Sequence, residues 1–135
     1  MKKIKDKERE KYLKDCQYIG QGCTVDLTLQ GYNCRVTRHK TLGILCGYVI
    51  LEDDKEIYEN TLNLLEVHGG ITYNRIEIIK DTNRRVIGFD CVHFDDYIPC
   101  AFNPYLDSDT KYRDFKFVRK ELIKLIDQLK KAGIK

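Results

Sequence analysis

Apolar residues recur at helical spacing near the carboxyl end of the chain. Five of them fall on one helical face: Val118, Leu122, Leu125, Ile126 and Leu129. The opposite face carries lysines and arginines, so the pattern predicts an amphipathic helix within residues 110–132. Ser108, Asp109 and Thr110 are candidate caps for its start, because their side-chain oxygens can accept hydrogen bonds from the first turn.

A second helix is expected at the amino terminus, over residues 2–15. Its composition favours a helix, but Ile4, Tyr12 and Leu13 form a thin apolar stripe. We therefore expect a helix that is frayed or that depends on a partner surface for its stability.

Alternating polar and apolar residues predict strands in the first half of the chain. Residues 24–29 and 32–38 alternate as half-buried strands do, with Gln30-Gly31 as the turn between them. A third apolar run, residues 44–51, contains β-branched and aromatic residues and ends in an acidic loop.

Another hairpin is expected in the middle of the chain. Apolar β-type segments flank residues 80–83, a turn-forming cluster whose asparagine tolerates a positive φ. The register expected across this turn sets His68 opposite residues 95–97 and Thr72 opposite residues 91–93. The polar residues then gather at the open end of the hairpin.

Strands followed by one long amphipathic helix predict an α+β fold, in which the carboxy-terminal helix packs on an antiparallel sheet. We expect a single domain over residues 1–135, which is near the usual size of one domain. Its parts are a helical extension (1–20), a sheet region (24–98) and the terminal helix (110–132).

Composition narrows the classes of partner. Hydrophobic residues make up 42% and charged residues 33%, which excludes a wholly disordered chain. The net charge of +3 suits a phosphorylated small molecule but lacks the dense basic stripe of a duplex DNA binder. Charges scattered through the first fifteen residues, and the lack of any long apolar run, predict a cytoplasmic protein with no membrane partner.

The six cysteines predict reduced thiols rather than a disulfide framework, because cytosolic pools keep such residues reduced. No two of them form a C-x-x-C pair, so a structural zinc site has little support. We expect most of them to pack as small hydrophobic residues. They are Cys16, Cys23, Cys34, Cys46, Cys91 and Cys100.

Two histidines provide the candidate chemistry. His68 precedes Gly69 and Gly70, which can let the backbone bulge or approach a ligand closely. His93 and Asp96 follow on the returning side of the hairpin. Two imidazoles and a carboxylate suffice for general acid–base catalysis, since one ring accepts a proton, the other donates one and the acid orients a ring.

Other interpretations of these residues remain open. The histidines also fit a hydrogen-bonded cross-strand pair at the edge of the core. Asp95 and Asp96 could bind a hard cation together with a substrate phosphate, although we rank metal-free chemistry above a metal site. Strand alternation separates Asp90 from His93, which suggests that Asp90 ties down backbone or the terminal helix.

Further candidate ligand contacts come from both sides of the histidines. Thr72 or Arg113 would hold phosphoryl oxygens, and Tyr73 or Tyr112 would stack on a base. The segment Tyr112-Arg113-Asp114 is expected to open the terminal helix, where unpaired backbone N–H groups favour an anion. The structural alternative for Arg113 is a surface ion pair with Asp109 or Asp114, which would contribute little.

Three ordered motifs resemble a widespread, largely uncharacterised family of small proteins from phages, prophages and Firmicutes-type genomes. They are HGGITY at residues 68–73, GFDCVH at 88–93 followed by Asp96 and Pro99, and YRD at 112–114 followed by Phe117-Val118 and Glu121. The resemblance covers residues 31–130. The chain departs from the family in its short loop between Tyr73 and Ile87 and in Arg85-Val86, where relatives carry a tryptophan pair.

The resemblance implies an accessory or counter-defence role in phage biology, a class that includes small oligomeric proteins that trap or cleave nucleotide immune signals. The resulting hypothesis is a homo-oligomeric, metal-independent phosphodiesterase that needs no cofactor and acts on a nucleotide-type ligand. The alternatives are a protein that sequesters the same ligand unchanged and a protein-interaction module that uses the sheet edge or the amino-terminal helix.

Overall fold

The computed structural model describes residues 2–101 and 109–135, with side chains described from Lys7 onward. It confirms the expected α+β fold, a five-stranded antiparallel sheet with a helix at each end of the chain. The elements in chain order are α1 (Lys2–Cys16), β1 (Thr24–Leu29), β2 (Tyr32–Arg38), β3 (Leu45–Ile50), α2 (Glu59–Leu64), β4 (Tyr73–Ile79), β5 (Thr82–Asp90) and α3 (Phe115–Lys131). The strand order is β1-β2-β3-β5-β4, so the second hairpin inserts its second strand beside β3.

Helix α3 packs on one face of the sheet with the predicted apolar stripe. All five stripe residues are buried, together with strand residues such as Val36, Val49 and Phe89. Gly47 allows the close approach, since a Cβ there would lie 2.8 Å from the Phe89 ring and 3.0 Å from Val118. This interface forms the core and fixes the position of α3 over the strands.

The opposite face of the sheet is covered by side chains that lie across it. Arg35 donates two hydrogen bonds to the Glu77 carboxylate, at 2.9 and 2.6 Å. Tyr73 also donates to Glu77, and its ring packs edge-on against Tyr48 at 5.1 Å. Tyr73 therefore takes part in a packed layer of polar and aromatic side chains on this face.

The two hairpin turns differ in how well their sequences predicted them. The first lies at Gln30-Gly31, as expected. The second is a two-residue turn at Lys80-Asp81, with both φ angles positive, and it pairs Ile79 with Thr82. The predicted four-residue turn was wrong, and the register is shifted by two to four residues because Asn83 belongs to the strand rather than to the turn.

Helix α3 begins at Phe115, later than the expected start near residue 110. Its N-cap is Asp114, whose side chain accepts a hydrogen bond from the backbone N–H of Phe117 at 2.8 Å. Asp109 and Thr110 precede this cap, and Ser108 lies outside the described residues. Tyr112 and Arg113 therefore belong to the segment that leads into the helix and not to its first turn.

Helix α1 docks through polar side chains, which the thin apolar stripe did not indicate. Glu8 is buried and accepts a hydrogen bond from the backbone N–H of Tyr112 at 2.8 Å. Tyr12 is also buried, with its ring edge-on to that of Tyr112. The short helix α2 was not expected, and none of its residues is buried.

All six cysteines are free thiols. Cys34 and Cys91 are buried and Cys16 and Cys46 are partly buried, as small hydrophobic residues would be. The prediction that most of them pack in this way is confirmed, and the exceptions are Cys23 and Cys100, which are exposed. None of the helices in the described part of the chain combines the length and the apolar content that a membrane span requires.

Candidate functional site

A compact loop after β5 creates the site. The strand ends at Asp90, and the chain then turns so that the backbone N–H of Asp96 donates to the His93 carbonyl at 2.9 Å. Residues 95–97 pair with Lys111 through two backbone hydrogen bonds of 2.9 and 2.8 Å. This pairing brings Arg113, two residues further on, beside the loop.

Asp96 is the centre of the cluster. Its side chain is fully buried, and its two oxygens lie 2.9 Å from His68 Nε2. It also accepts hydrogen bonds from Arg113 Nε at 2.8 Å and from the backbone N–H of His93 at 3.0 Å. A buried carboxylate is tolerated only with such partners, so Asp96 orders three other groups around itself.

His68 is held from three sides. Its backbone N–H donates to Glu121 on α3 at 2.8 Å, and its ring packs edge-on against Phe117 at 5.1 Å. Because the carboxylate of Asp96 can only accept, the hydrogen on the imidazole lies on Nε2. Nδ1 of His68 has no hydrogen-bond partner among the described residues, and the side chain is 15% exposed.

His93 lies against His68 with the ring centroids 5.4 Å apart. Its Nε2 is 3.1 Å from both the carbonyl and a carboxylate oxygen of Asp90, which again fixes the hydrogen on Nε2. The space in front of Gly69 holds this ring, since a Cβ there would lie 1.9 Å from His93 Nε2. The side chain of His93 is 28% exposed.

The structure brings most of the sequence-predicted residues together. Thr72 extends the cluster, because its hydroxyl donates to the Asp90 carboxylate at 2.8 Å. The expected separation of Asp90 from His93 was wrong, since the strand ends at Asp90 and alternation stops there. Gly70, with φ of +80°, has open space around its Cα.

The two predicted stacking residues lie elsewhere. Tyr73 belongs to the layer on the far face of the sheet, where its hydroxyl donates to Glu77. Tyr112 is buried, with its hydroxyl bonded to Arg38 and Asp15. Burial and the hydrogen bond to Asp15 raise the pKa of Tyr112. Neither ring is placed to stack on a ligand held at the histidines.

Three residues near the histidines received no role from the sequence. Phe117 and Glu121 follow Arg113 at intervals of four, so the helix expected from residue 110 already set the three on one face, although only Arg113 was given a role. Arg113 itself lies with its guanidinium carbon 5.0 Å from the Phe117 ring centroid and also pairs with Asp95 at 3.0 Å. Phe94 carries no pattern signal, and its side chain is 99% exposed.

Cavities of appreciable size lie at the other end of the sheet. One of about 380 Å³ is bounded by Ile50, Arg84 and Ile134, and one of about 560 Å³ lies between Ile57 and the same carboxy-terminal segment. The strand register places Ile50 and Val86 at the end away from Asp90. Neither of these two cavities is lined by a residue of the histidine cluster.

Within residues 2–101 and 109–135, no group of three or more histidine, cysteine, aspartate or glutamate side chains is arranged to hold a metal ion. No protein-family model, curated protein or solved structure matches this chain.

Proposed function

We propose that this protein acts on a small, nucleotide-type phosphodiester by metal-independent acid–base chemistry at His68 and His93, in a phage accessory or counter-defence role in the host cytoplasm. The observation that carries the proposal is the pair of adjacent, partly exposed imidazoles that share one hydrogen-bonding pattern. Each ring uses Nε2 to bond an acceptor of the protein and keeps Nδ1 for solvent or ligand.

In the proposed reaction one imidazole accepts a proton and the other donates one. In the neutral state His68 Nδ1 accepts the proton of the attacking hydroxyl, from water or from a ribose 2′-OH, while the new P–O bond forms. His93, entering protonated, gives its Nδ1 proton to the leaving oxygen as the old P–O bond breaks. The buried Asp96 carboxylate supports the positive charge that develops on His68, as the acid of a catalytic triad does.

Arg113 and Thr72 provide candidate contacts to the phosphoryl oxygens. The Arg113 side chain is 16% exposed, and its Nη1 makes no hydrogen bond within the described residues. Thr72 is exposed and bonded to Asp90, so its hydroxyl lies on the His93 side of the cluster. We propose that the phosphate binds between these groups and contacts both imidazoles.

Sequestration of the ligand without cleavage is the second candidate, and the contacts of Arg113 favour it. Two of the Arg113 nitrogens already bond Asp96 and Asp95, which leaves less of the guanidinium for a transition state. A second copy of the chain could enclose the ligand at the site. The edge strand β4 presents exposed Ile76 and Ile78, which supports self-association along that edge.

The test is incubation of the purified protein with a panel of cyclic dinucleotides and ADP-ribose derivatives, with and without EDTA, followed by chromatography. Cleavage that EDTA leaves unchanged supports the proposal, and intact ligand released by heating supports sequestration. His68→Gln and His93→Gln should each lower cleavage about 100-fold or more. His39→Gln is the matched control, because His39 is an exposed histidine in another loop.

Unchanged cleavage in both His68→Gln and His93→Gln would contradict the proposed chemistry. Neither cleavage nor binding of any member of the panel would contradict both candidate functions.

A further inference from the structure

Phe94 is the most exposed large apolar side chain in the described part of the chain, at 99%. It lies between His93 and Asp96, in the loop that builds the site. Leaving a phenylalanine in water forgoes about 1.5–3 kcal/mol of burial free energy. A fully exposed phenylalanine in the loop that carries His93 is available to contact a ligand bound there.

The loop that carries Phe94 is held in place by hydrogen bonds on both sides. Val92 N–H donates to the Asp90 carboxylate at 3.1 Å, and Asp96 bonds the backbone of His93 in both directions, as donor at 2.9 Å and acceptor at 3.0 Å. The ring therefore projects from an anchored backbone. Phe94 follows His93 directly in the chain, so the same anchored loop carries the phenyl ring and the imidazole.

A row of lysines runs along α3 on the exposed side of the cluster. Phe117 and Glu121, which contact His68, are flanked by exposed Lys116, Lys120 and Lys124. Lys124 Nζ is 3.9 Å from a Glu121 carboxylate oxygen, so the row lies alongside these contacts. Residues three and four apart share a helix face, which sets the three ammonium groups in line. This row supplies positive charge beyond Arg113.

We propose that Phe94 is a base-stacking residue and that the ligand carries a nucleobase and at least two phosphates, one at the histidines and one along the lysine row. This inference rests on the proposed function, because it deepens the description of the same site. Stacking on an aromatic ring accepts any base, so Phe94 selects nucleotides over base-free phosphodiesters without reading a sequence. Phe94 thereby takes the role that the buried Tyr112 and the distant Tyr73 do not fill.

The test uses a dinucleotide containing 2-aminopurine, whose fluorescence is quenched when the base stacks, and a matched abasic dinucleotide with the same phosphates. The wild-type protein should quench the fluorescence and bind the abasic compound more weakly. Phe94→Ala should weaken binding about 5- to 150-fold and abolish quenching, while Phe94→Tyr retains both. Tyr58→Ala, which removes another exposed aromatic ring at the other end of the sheet, is the control and should bind as the wild type does.

Lys120→Gln should weaken binding of the dinucleotide and reduce its salt dependence, since one fewer phosphate contact is made. Because Lys120 is exposed, this variant should fold as the wild type does.

The two proposals fail in different ways. Equal affinity for the abasic and base-bearing compounds, or unchanged binding in Phe94→Ala, would overturn the stacking role even where cleavage by the histidines holds. If His68→Gln still quenches the 2-aminopurine fluorescence and neither the wild type nor any variant cleaves the dinucleotide, stacking on Phe94 is supported and the proposed catalysis is overturned. A dimer that dissociates in Phe94→Ala, with no nucleotide bound, would assign the ring to a second copy of the chain and overturn the inference.

Discussion

Two carboxylates, the buried Asp96 and the partly buried Asp15, bond the adjacent residues Arg113 and Tyr112, and they form clusters of opposite character. Asp96 collects Arg113, His68 and the His93 backbone, with both imidazoles partly exposed. Asp15 of α1 collects Tyr112 and Arg38, and the Arg38 side chain is fully buried. We call the group around Asp96, with its partly exposed imidazoles, the open cluster, and the group around Asp15, with the buried Arg38, the sealed cluster. The adjacent residues Arg113 and Tyr112 belong to the open and the sealed cluster respectively.

The contacts of Arg38 show what the sealed cluster does. Its guanidinium donates to the carbonyls of Ile19 and Gly43, each at 2.7 Å, and to the Tyr112 hydroxyl at 2.9 Å. Asp15 also accepts from the backbone N–H of Phe115 at 3.1 Å. These bonds join α1, the end of β2 and the start of α3, so the cluster is a structural clamp. The open cluster also contains a carboxylate and an arginine. It is a candidate reactive site because it contains, in addition, two histidines that are partly exposed to solvent.

The clamp also positions the open cluster. Glu8 and Asp15 of α1 bond the backbone on both sides of Arg113, at Tyr112 and at Phe115. Helix α1 therefore fixes the path of the chain that presents Arg113 to Asp96. The amino-terminal helix, whose stripe is too thin to form a core, has a role in the geometry of the site.

The largest expected effect comes from breaking the clamp. Arg38→Met should lower the free energy of unfolding by about 3–5 kcal/mol, because it leaves Asp15 and two carbonyls without their partner in the interior. Urea denaturation measures the change. Arg119→Met, at an exposed position of α3, is the control and should stay within about 0.5 kcal/mol of the wild type. A loss for Arg38→Met as small as that would show that the cluster is not a clamp.

A smaller effect should separate the two glycines of the open cluster. Gly69 and Gly70 have similar positive φ angles, +69° and +80°, so alanine is strained by about 1–2 kcal/mol at either position. Only Gly69→Ala also displaces the His93 ring, which should add about 1–3 kcal/mol and shift the His93 NMR signals. Equal stabilities and unshifted signals in the two variants would contradict the close contact.

Replacing the histidine that bonds Asp96 should hardly affect stability. His68→Gln keeps a side-chain donor near Asp96, which also retains Arg113 and the His93 backbone, so we expect a loss of about 1 kcal/mol or less. Thermal denaturation measures this loss beside the assay for cleavage. A loss comparable to that of Arg38→Met would show that the open cluster is also a clamp.

The smallest effect concerns thiol reactivity. Cys100, on the edge of the clamp beside Gln21, is exposed and should react quickly with a disulfide reagent at pH 8. Burial, and then the charge of Asp96, raises the pKa of Cys91, so this thiol stays protonated and unreactive at pH 8 in the folded protein. Mass spectrometry of labelled peptides locates the modified residues. Fast labelling of Cys91 would show that this residue is not buried as the structure has it.

Local signals account for the parts of the fold that were predicted well. β1 and β2 have the bounds expected from alternation, because the two residues Gln30-Gly31 form the turn that the sequence predicted. The body of α3 follows from its stripe. The register of the second hairpin was predicted wrongly because four consecutive residues favour a turn and only two of them form it. The start of α3 was predicted too early because Asp114, rather than an earlier residue, is the N-cap.

The amino-acid sequence by itself determined the α+β class and the packed face of α3, because periodicity acts over short distances. It also predicted that His68, His93 and Asp96 lie near one another, but from a hairpin register that the structure shifts. Only the tertiary structure decided that Tyr112 is buried while its neighbour Arg113 bonds Asp96, that His93 occupies the space in front of Gly69, and that Phe94 is left in solvent. These features depend on hydrogen bonds between residues up to 104 positions apart. No local pattern records such partners, because a buried charge is satisfied by whichever donors the fold brings to it.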